Sequence, residues 1–290
     1  MNCLPMPALG VAHSGYIPTF LERHADAIDY VEVPFELLRH DPSVIQIAEK
    51  KAIILHCASL SIGGTVECSP QTRCQIEKWV NLTQTPWIGE HLAFVTAERA
   101  EAGTPAEAYA PGEPYNIGYT VSPPMNESTV ERVARNFDCY SGKFGVPILL
   151  ENSPLYFNVP TSTMTQVEFI NNVCRRTSAR LILDLAHFYI TANTFNFDAL
   201  QEIEKLPLER VDEIHISGVD LQSGSMWDNH SKRAPRLIFE LLEKVLLRAS
   251  PRAITLEYNW SARFPEHVLL EELSLTRGVL AGARGKRGQL

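Results

Sequence analysis

Seven imidazole and carboxylate side chains sit at or just beyond the ends of short apolar runs, His56, His91, Glu151, Asp184, His187, His215 and Glu257, and two more, Asp228 and His230, lie in a loop that follows one of these runs. The sharpest instance is LILDLAHFYI (181–190), where Asp184 and His187 interrupt an otherwise apolar stretch. Taken singly, each residue has a plain explanation. A lone histidine at a strand end is more often a hydrogen-bonded core residue than a ligand. A lone carboxylate there caps the next helix, and Asp228-Asn229 by itself reads as a turn. Taken together, the nine demand more. Four carboxylates meeting in a partly buried place repel one another and lose hydration. Three divalent cations would set six positive charges against those four negative ones. Asp184-x-x-His187 just past a strand puts both side chains on one side of a first helical turn. Asp228-x-His230 in extended chain points both the same way. Oxygen and imidazole donors without thiolate suit zinc, manganese or non-haem iron. Nine donors are too many for one ion and enough for two or three.

What positions these residues is a recurring unit. Eight apolar runs cover 8–12, 29–33, 52–56, 87–91, 147–151, 181–184, 212–216 and 253–257. They are continuous rather than alternating, as expected of parallel strands covered on both faces. Helical patterns lie between them at 41–50, 69–84, 126–145, 165–177, 235–249 and 265–280, the first two opening on Asp-Pro and Ser-Pro. Strand alternating with helix eight times predicts an α/β fold, a (β/α)8 TIM barrel spanning residues 1–280 as one domain. The site then falls at the C-terminal ends of the strands. Glu32, Asn152 and His13 also sit at strand ends and are secondary candidates for contact with the ligands or substrate. His24, His40 and His267 lie on connecting or helical segments and are expected at the surface. Residues 95–125, rich in Ala, Pro, Gly and Glu, predict a structureless functional loop or cover. The basic tail 281–290 is expected to be disordered.

Composition narrows the class. The chain has 290 residues, 45% hydrophobic and 21% charged, which are globular values. A formal net charge of −8 disfavours nucleic acid as the main partner. No apolar run is long enough to cross a bilayer, and the N-terminus lacks a signal-peptide pattern. None of the six cysteines forms a CxxC pair. They read as reduced thiols in a cytoplasmic protein, with Cys57 a small buried hydrophobe.

The ordered set of motifs resembles the xylose-isomerase-like superfamily of metal barrels. Within it, IDYVEVPFELL (28–38), ILHCASLSIGG (54–64), IGEHLAF (88–94), ILLENSPLYF (148–157), VDEIHISG (211–218) and ITLEYNW (254–260) are similar to segments of the DUF692 family, the multinuclear non-haem iron-dependent oxidases. The resemblance runs over about residues 8–280. It departs at His187, where many members have Asn, and at Val219, where many have a second His. It implies two or three iron ions of mixed Fe(II)/Fe(III) state, held by the nine residues, with Asp184, His187, His215 and Glu257 catalytic. It implies O2 as co-substrate, a ribosomally made precursor peptide as substrate, and a small partner that presents the peptide's leader. The chemistry implied is oxidation at a cysteine or other C-terminal residue, as in oxazolone and thioamide formation, excision of the β-carbon towards a 3-thiaglutamate, heterocycle formation, or chemistry on Asp or Asn. The runner-up is a trinuclear zinc nuclease of the endonuclease IV type, acting on abasic sites with the same ligand order. Against it stands the segment 96–114, which carries four Glu and one Arg. A sugar isomerase or epimerase on the same barrel needs fewer ligands.

Overall fold

A computed structural model of the chain describes residues 7–98, 113–258 and 265–287. Eight parallel strands close into a barrel: β1 (Ala8–Ala12), β2 (Tyr30–Pro34), β3 (Ala52–Cys57), β4 (Ile88–His91), β7 (Ile148–Glu151), β8 (Arg180–Asp184), β9 (Val211–Ser217) and β12 (Ala253–Glu257). Each pairs with its neighbour in this order, and β12 closes onto β1. All eight runs expected from the sequence are strands of the barrel. The remaining strands form two antiparallel hairpins, β5 (Phe94–Glu98) with β6 (Pro114–Val121) and β10 (Asp220–Gln222) with β11 (Ser225–Trp227).

The helices are α1 (Ile17–His24), α2 (Phe35–His40), α3 (Pro70–Thr83), α4 (Glu127–Tyr140), α5 (Gln166–Arg176), α6 (Leu185–Phe195), α7 (Ala199–Glu202), α8 (Arg236–Leu246) and α9 (Glu266–Arg287). Their starts follow local chemistry. The side chains of Ser69 and Asn126 cap α3 and α4, and Thr165 with Glu168 makes a full capping box on α5. The helix expected at 41–50 is a 3-10 helix, Pro42–Glu49, capped by Asp41.

Three expectations are corrected. The segment 95–125 is not structureless: β5 and β6 flank residues 99–112, which lie outside the described residues. The tail expected to be disordered from 281 is helical as far as Arg287, because α9 runs on seven residues past position 280. Residues 288–290 lie outside the described ones. Helices α1, α2 and α6 follow strands, and α7 follows α6, in places where the apolar pattern gave no separate helical segment.

The strand period of two organises the barrel interior. Ala8, Tyr30, Ile54, Trp87, Leu149, Ile182 and Ala253 pack together as a floor, apart from the larger core between strands and helices. Two residues further along the strands stand Glu32, His56, Glu151, Asp184 and Thr255 on the same inward face. Val31, Leu55, Leu150 and Leu183, out of phase by one, join the outer core. Five of the eight strands thus carry an apolar floor residue and then a polar residue towards the mouth, while β1 and β4 carry Gly10 and Gly89 at the second position.

Candidate metal centre

Cross-strand register sets the polar layer. His91 stands beside Glu151 on the adjacent strand, and Asp184 beside His215. Gly89 makes room between them: a Cβ there would lie 2.6 Å from Cδ2 of His56 and 2.7 Å from Ile182. Past β9 the chain leaves as the β10–β11 hairpin and returns with Asp228 and His230. Gly218 permits that crossing, since a Cβ there would lie 1.9 Å from the Lys232 carbonyl oxygen.

The result is four interlocking groups of donor atoms. His56, His91 and Glu151 form one. Glu151, Asp184, His215 and Glu257 form the second and share Glu151 with the first. His187, Asp228 and His230 form the third. Glu32, His56 and His215 form a fourth beneath them. All nine residues singled out in the sequence are brought together, and Glu32 joins them as a tenth. His13 belongs to none of these groups, and its backbone amide donates to the Glu32 carbonyl. His40 and His267 are exposed and His24 is partly so, as expected.

Distances inside the groups are short. Oε2 of Glu151 lies 2.8 Å from Nε2 of His56 and 2.9 Å from Nδ1 of His91. Oδ2 of Asp228 lies 2.8 Å from Nε2 of His187, and its two oxygens lie 2.9 Å from Nε2 of His230. Asp184 does two things at once. Its Oδ1 accepts from the His187 amide at 2.6 Å, capping α6, while its fully buried Oδ2 has no hydrogen-bond partner. The helix cap and the ligand readings of this residue are therefore compatible.

Asn152 fixes this corner. Its side chain donates to the Asp184 carbonyl and accepts from the Asp184 amide, both at 2.9 Å. Its own carbonyl lies 2.8 Å from Nδ1 of His187. A carbonyl can only accept, so Nδ1 carries the proton and Nε2 is left to face Asp228. The expectation that Asn152 supports the site is met by these contacts.

Charge shows why the arrangement needs cations. Burial works against every ionised group here, yet the mutual fields prevail. Burial lowers the pKa of His56, but Glu32 and Glu151 push it up to about 10. Burial opposes protonation of His230, and Glu257 and Asp228 raise it to about 9. Glu257, against its burial, is drawn down to about 2 by His215 and His230. Asp184 goes the other way: burial and the neighbouring carboxylates raise it well above the usual carboxylate range, despite His187. Without metal, the imidazoles serve as cations. Several buried donor atoms nevertheless find no hydrogen bond: Oε2 of Glu32, Oδ2 of Asp184, both nitrogens of His215 and Oε2 of Glu257. Nδ1 of His215 lies 3.3 Å from Oε2 of Glu257 and 3.6 Å from Oε1 of Glu151 without aligning with either. Buried polar atoms that converge without bonding fit a shared cation.

Above these groups opens a cavity of about 770 Å³. His56, His91, His187, Asp228, His230 and Glu257 line its base, and Tyr119, Tyr156, Phe157 and Trp227 its walls. Tyr156 stacks on Trp227 with ring centroids 4.8 Å apart, and its hydroxyl accepts from the Asp228 amide at 3.3 Å. Among the described residues lining the cavity there is no Lys or Arg. Cys57, next in sequence to His56, is buried, and its thiol points at Glu36 rather than into the site. Burial and the Glu36 charge push that thiol well above its usual range, as expected of an inert core cysteine.

Solved structures share the barrel. A xylose isomerase domain-containing protein from Salmonella typhimurium matches 97% of this chain and 99% of its own at a TM-score of 0.60 and 15% identity. Endonuclease IV from Thermus thermophilus matches 97% and 100% at 0.54 and 16%. At such identities the likeness extends to the fold alone. Sequence relatives lie nearer. A UPF0276 protein of Vibrio vulnificus is 28% identical over 266 residues, 89% of this chain and 86% of its own. One from Caulobacter vibrioides is 24% identical over 276 residues, 93% and 92% of the two chains. The family described as RiPP precursor modification enzyme MbnB/TglH/ChrH matches residues 9–281. With that match running from β1 to α9 and covering the candidate metal-ligand groups, this chain belongs to the MbnB/TglH/ChrH family of RiPP precursor modification enzymes.

Proposed function

We propose that this protein is a multinuclear non-haem iron, O2-dependent oxidase that modifies a cysteine of a ribosomally synthesised precursor peptide in the cytoplasm. A small partner protein would present the peptide's leader. The observation that carries the reading is the interlocking of the donor groups through Glu151 and His215, in a family whose members modify peptides. His56, His91 and Glu151 would hold one ion. Glu151, Asp184, His215 and Glu257 would hold a second, and His187, Asp228 and His230 a third. The donor set has no thiolate and mixes imidazole with carboxylate, which accommodates ferrous and ferric iron. Bound iron would supply thiolate binding and O2 activation, chemistry that no side chain supplies.

The chain's own residues do the rest. The cavity is deep enough for one residue of a peptide and its flanking backbone, and its aromatic walls favour an uncharged chain over water. Tyr156 and Trp227 hold the hairpin that carries Asp228. Asn152 keeps the His187 ring in one tautomer. Asp184, His187, His215 and Glu257 are proposed as the catalytic set: His187 and Glu257 line the cavity, and Asp184 and His215 lie buried behind them. A cavity with no cationic side chain among its described lining residues is poorly suited to a phosphodiester backbone, so the nuclease alternative is not favoured.

The test is direct. Iron-reconstituted protein, its partner and the cysteine-bearing precursor encoded beside it are combined under air. Oxygen uptake matched by a mass change in the peptide is expected. A fully iron-loaded protein that leaves the peptide's mass unchanged would refute the proposal.

A further inference from the structure

Glu32 has no place in the three groups just assigned. It stands on the inward face of β2, one step above Tyr30, and is 2% exposed. Its Oε2 has no hydrogen bond, and Nε2 of His215 lies 3.2 Å away, also without one. On the opposite side of the same ring, Nδ1 faces Glu257 and Glu151.

A neutral imidazole has one lone pair for a metal, and its other nitrogen carries a proton that needs an acceptor. Two carboxylates are near enough to accept from Nε2. Glu213 is 3.6 Å away, but both of its oxygens are already engaged. Trp87 donates to Oε2 at 2.7 Å, and Thr255 donates to Oε1 at 2.6 Å. Glu32 keeps a free oxygen. A separate ion held by Glu32, His56 and His215 would take both nitrogens of His215 once the Glu151–Asp184–His215–Glu257 group is filled, stripping the ring of both protons. We propose that Glu32 is a positioning residue: its carboxylate holds the Nε2 proton of His215, so that the Nδ1 lone pair faces Glu151, Asp184 and Glu257. Asn152 does the corresponding service for His187 through Nδ1, so the two buried imidazoles are set in opposite tautomers.

The inference rests on the metal-centre part of the proposed function, and not on iron or on oxidation. Cobalt(II) alone is therefore a sufficient probe. Wild type, Glu32→Ala, Glu32→Gln and Glu213→Gln are titrated with it, and proton NMR follows the paramagnetically shifted, exchangeable ring N–H signals. Glu32→Ala is expected to weaken one cobalt equivalent by about 10- to 100-fold and to lose one slowly exchanging N–H signal. Glu32→Gln keeps an oxygen acceptor and should recover affinity to within about tenfold, with that signal present but displaced. Glu213→Gln should leave the signal in place. Should Glu32→Ala not fold, Glu32→Gln decides: an N–H signal at the wild-type position overturns the inference. Equal cobalt affinity and an unchanged spectrum in Glu32→Ala overturn it alone. A wild type that takes up no cobalt overturns both it and the metal-centre reading.

Discussion

Replacing Glu151 by Gln should cost the protein two metal ions, where Asp228→Asn costs one. Glu151 is 1% exposed and is the only one of the assigned carboxylates shared between two donor groups. Its Oε2 reaches His56 at 2.8 Å and His91 at 2.9 Å, while Oε1 faces His215 at 3.6 Å and His187 at 3.4 Å. The amide keeps the shape and removes the charge. In metal-free protein at neutral pH, His56 is protonated, and it would lose its nearest counter-ion. Breaking one side of a buried pair costs about 3–5 kcal/mol. At about 2 °C per kcal/mol for a domain of this size, the metal-free melting temperature should fall by about 6–10 °C. In metal-loaded protein the loss is read as stoichiometry: the first two groups empty and the His187–Asp228–His230 group stays filled. Calorimetry of the metal-free forms and elemental analysis of the loaded forms measure both. A Glu151→Gln protein with a full metal complement, or one that loses the same number as Asp228→Asn, would refute the bridging role.

Other expectations follow from the same geometry. In metal-free protein, His56 and His230 have folded pKa values of about 10 and about 9, above the ordinary 6.5. Their stabilisation is complete below pH 6.5 and is lost as pH rises through 9 to 10. Glu257, depressed to about 2, stabilises above about pH 4.5 and loses its contribution as pH falls towards 2. Melting temperature measured against pH should therefore peak near pH 5–6.5 for metal-free protein, and the alkaline fall should vanish when metal replaces the protons. A metal-free curve flat from pH 6 to 10 would contradict this. Gly89→Ala drives a methyl into His56 and Ile182 and should destabilise by about 1–3 kcal/mol while weakening the His56–His91–Glu151 group, as thermal melts and metal titration would reveal. Asn152→Ala removes both side-chain bonds to the Asp184 backbone and loosens the carbonyl that orients His187, so the second and third groups should weaken about 10- to 100-fold, with the His56–His91–Glu151 group less affected. Trp227→Ala removes a stack worth about 0.5–1.5 kcal/mol that holds the Asp228 hairpin, so the affinity of the His187–Asp228–His230 group should fall about 2- to 12-fold in a metal titration.

The barrel was legible in the sequence because strands buried on both faces read as unbroken apolar runs. Seven of the nine candidate ligands were legible because each breaks the pattern at the end of such a run, and Asp228 and His230 because Asp-x-His repeats that chemistry in the loop that follows one. Other features depended on facts that sequence does not display. Glu32 was a secondary candidate by its strand-end position, and only the barrel's phase, with Tyr30 in the floor, puts it among the donors. Its signal was the alternation of Val31 and Val33 with Tyr30 and Glu32, hidden by Tyr30 being apolar too. Helix α6 begins at Leu185 directly from the strand and is buried along most of its length, so LILDLAHFYI offers no polar face to mark the change. The carboxylate that ends the strand also caps the helix. The hairpin strands are short and partly exposed, which left 95–125 looking like loop. The small and basic residues after 280 suggested disorder, yet α9 is long enough to carry them, and Lys286 pairs with Glu243 at 2.5 Å.

The central claim is that nine converging donors exist to hold several metal ions, and that those ions are iron. Elemental analysis of protein purified without oxygen tests it most directly. Two to three irons per chain with little zinc is the expected result. Three zinc ions that persist through iron-supplemented expression would contradict the oxidase reading, and no stoichiometric metal at all would contradict the metal centre itself.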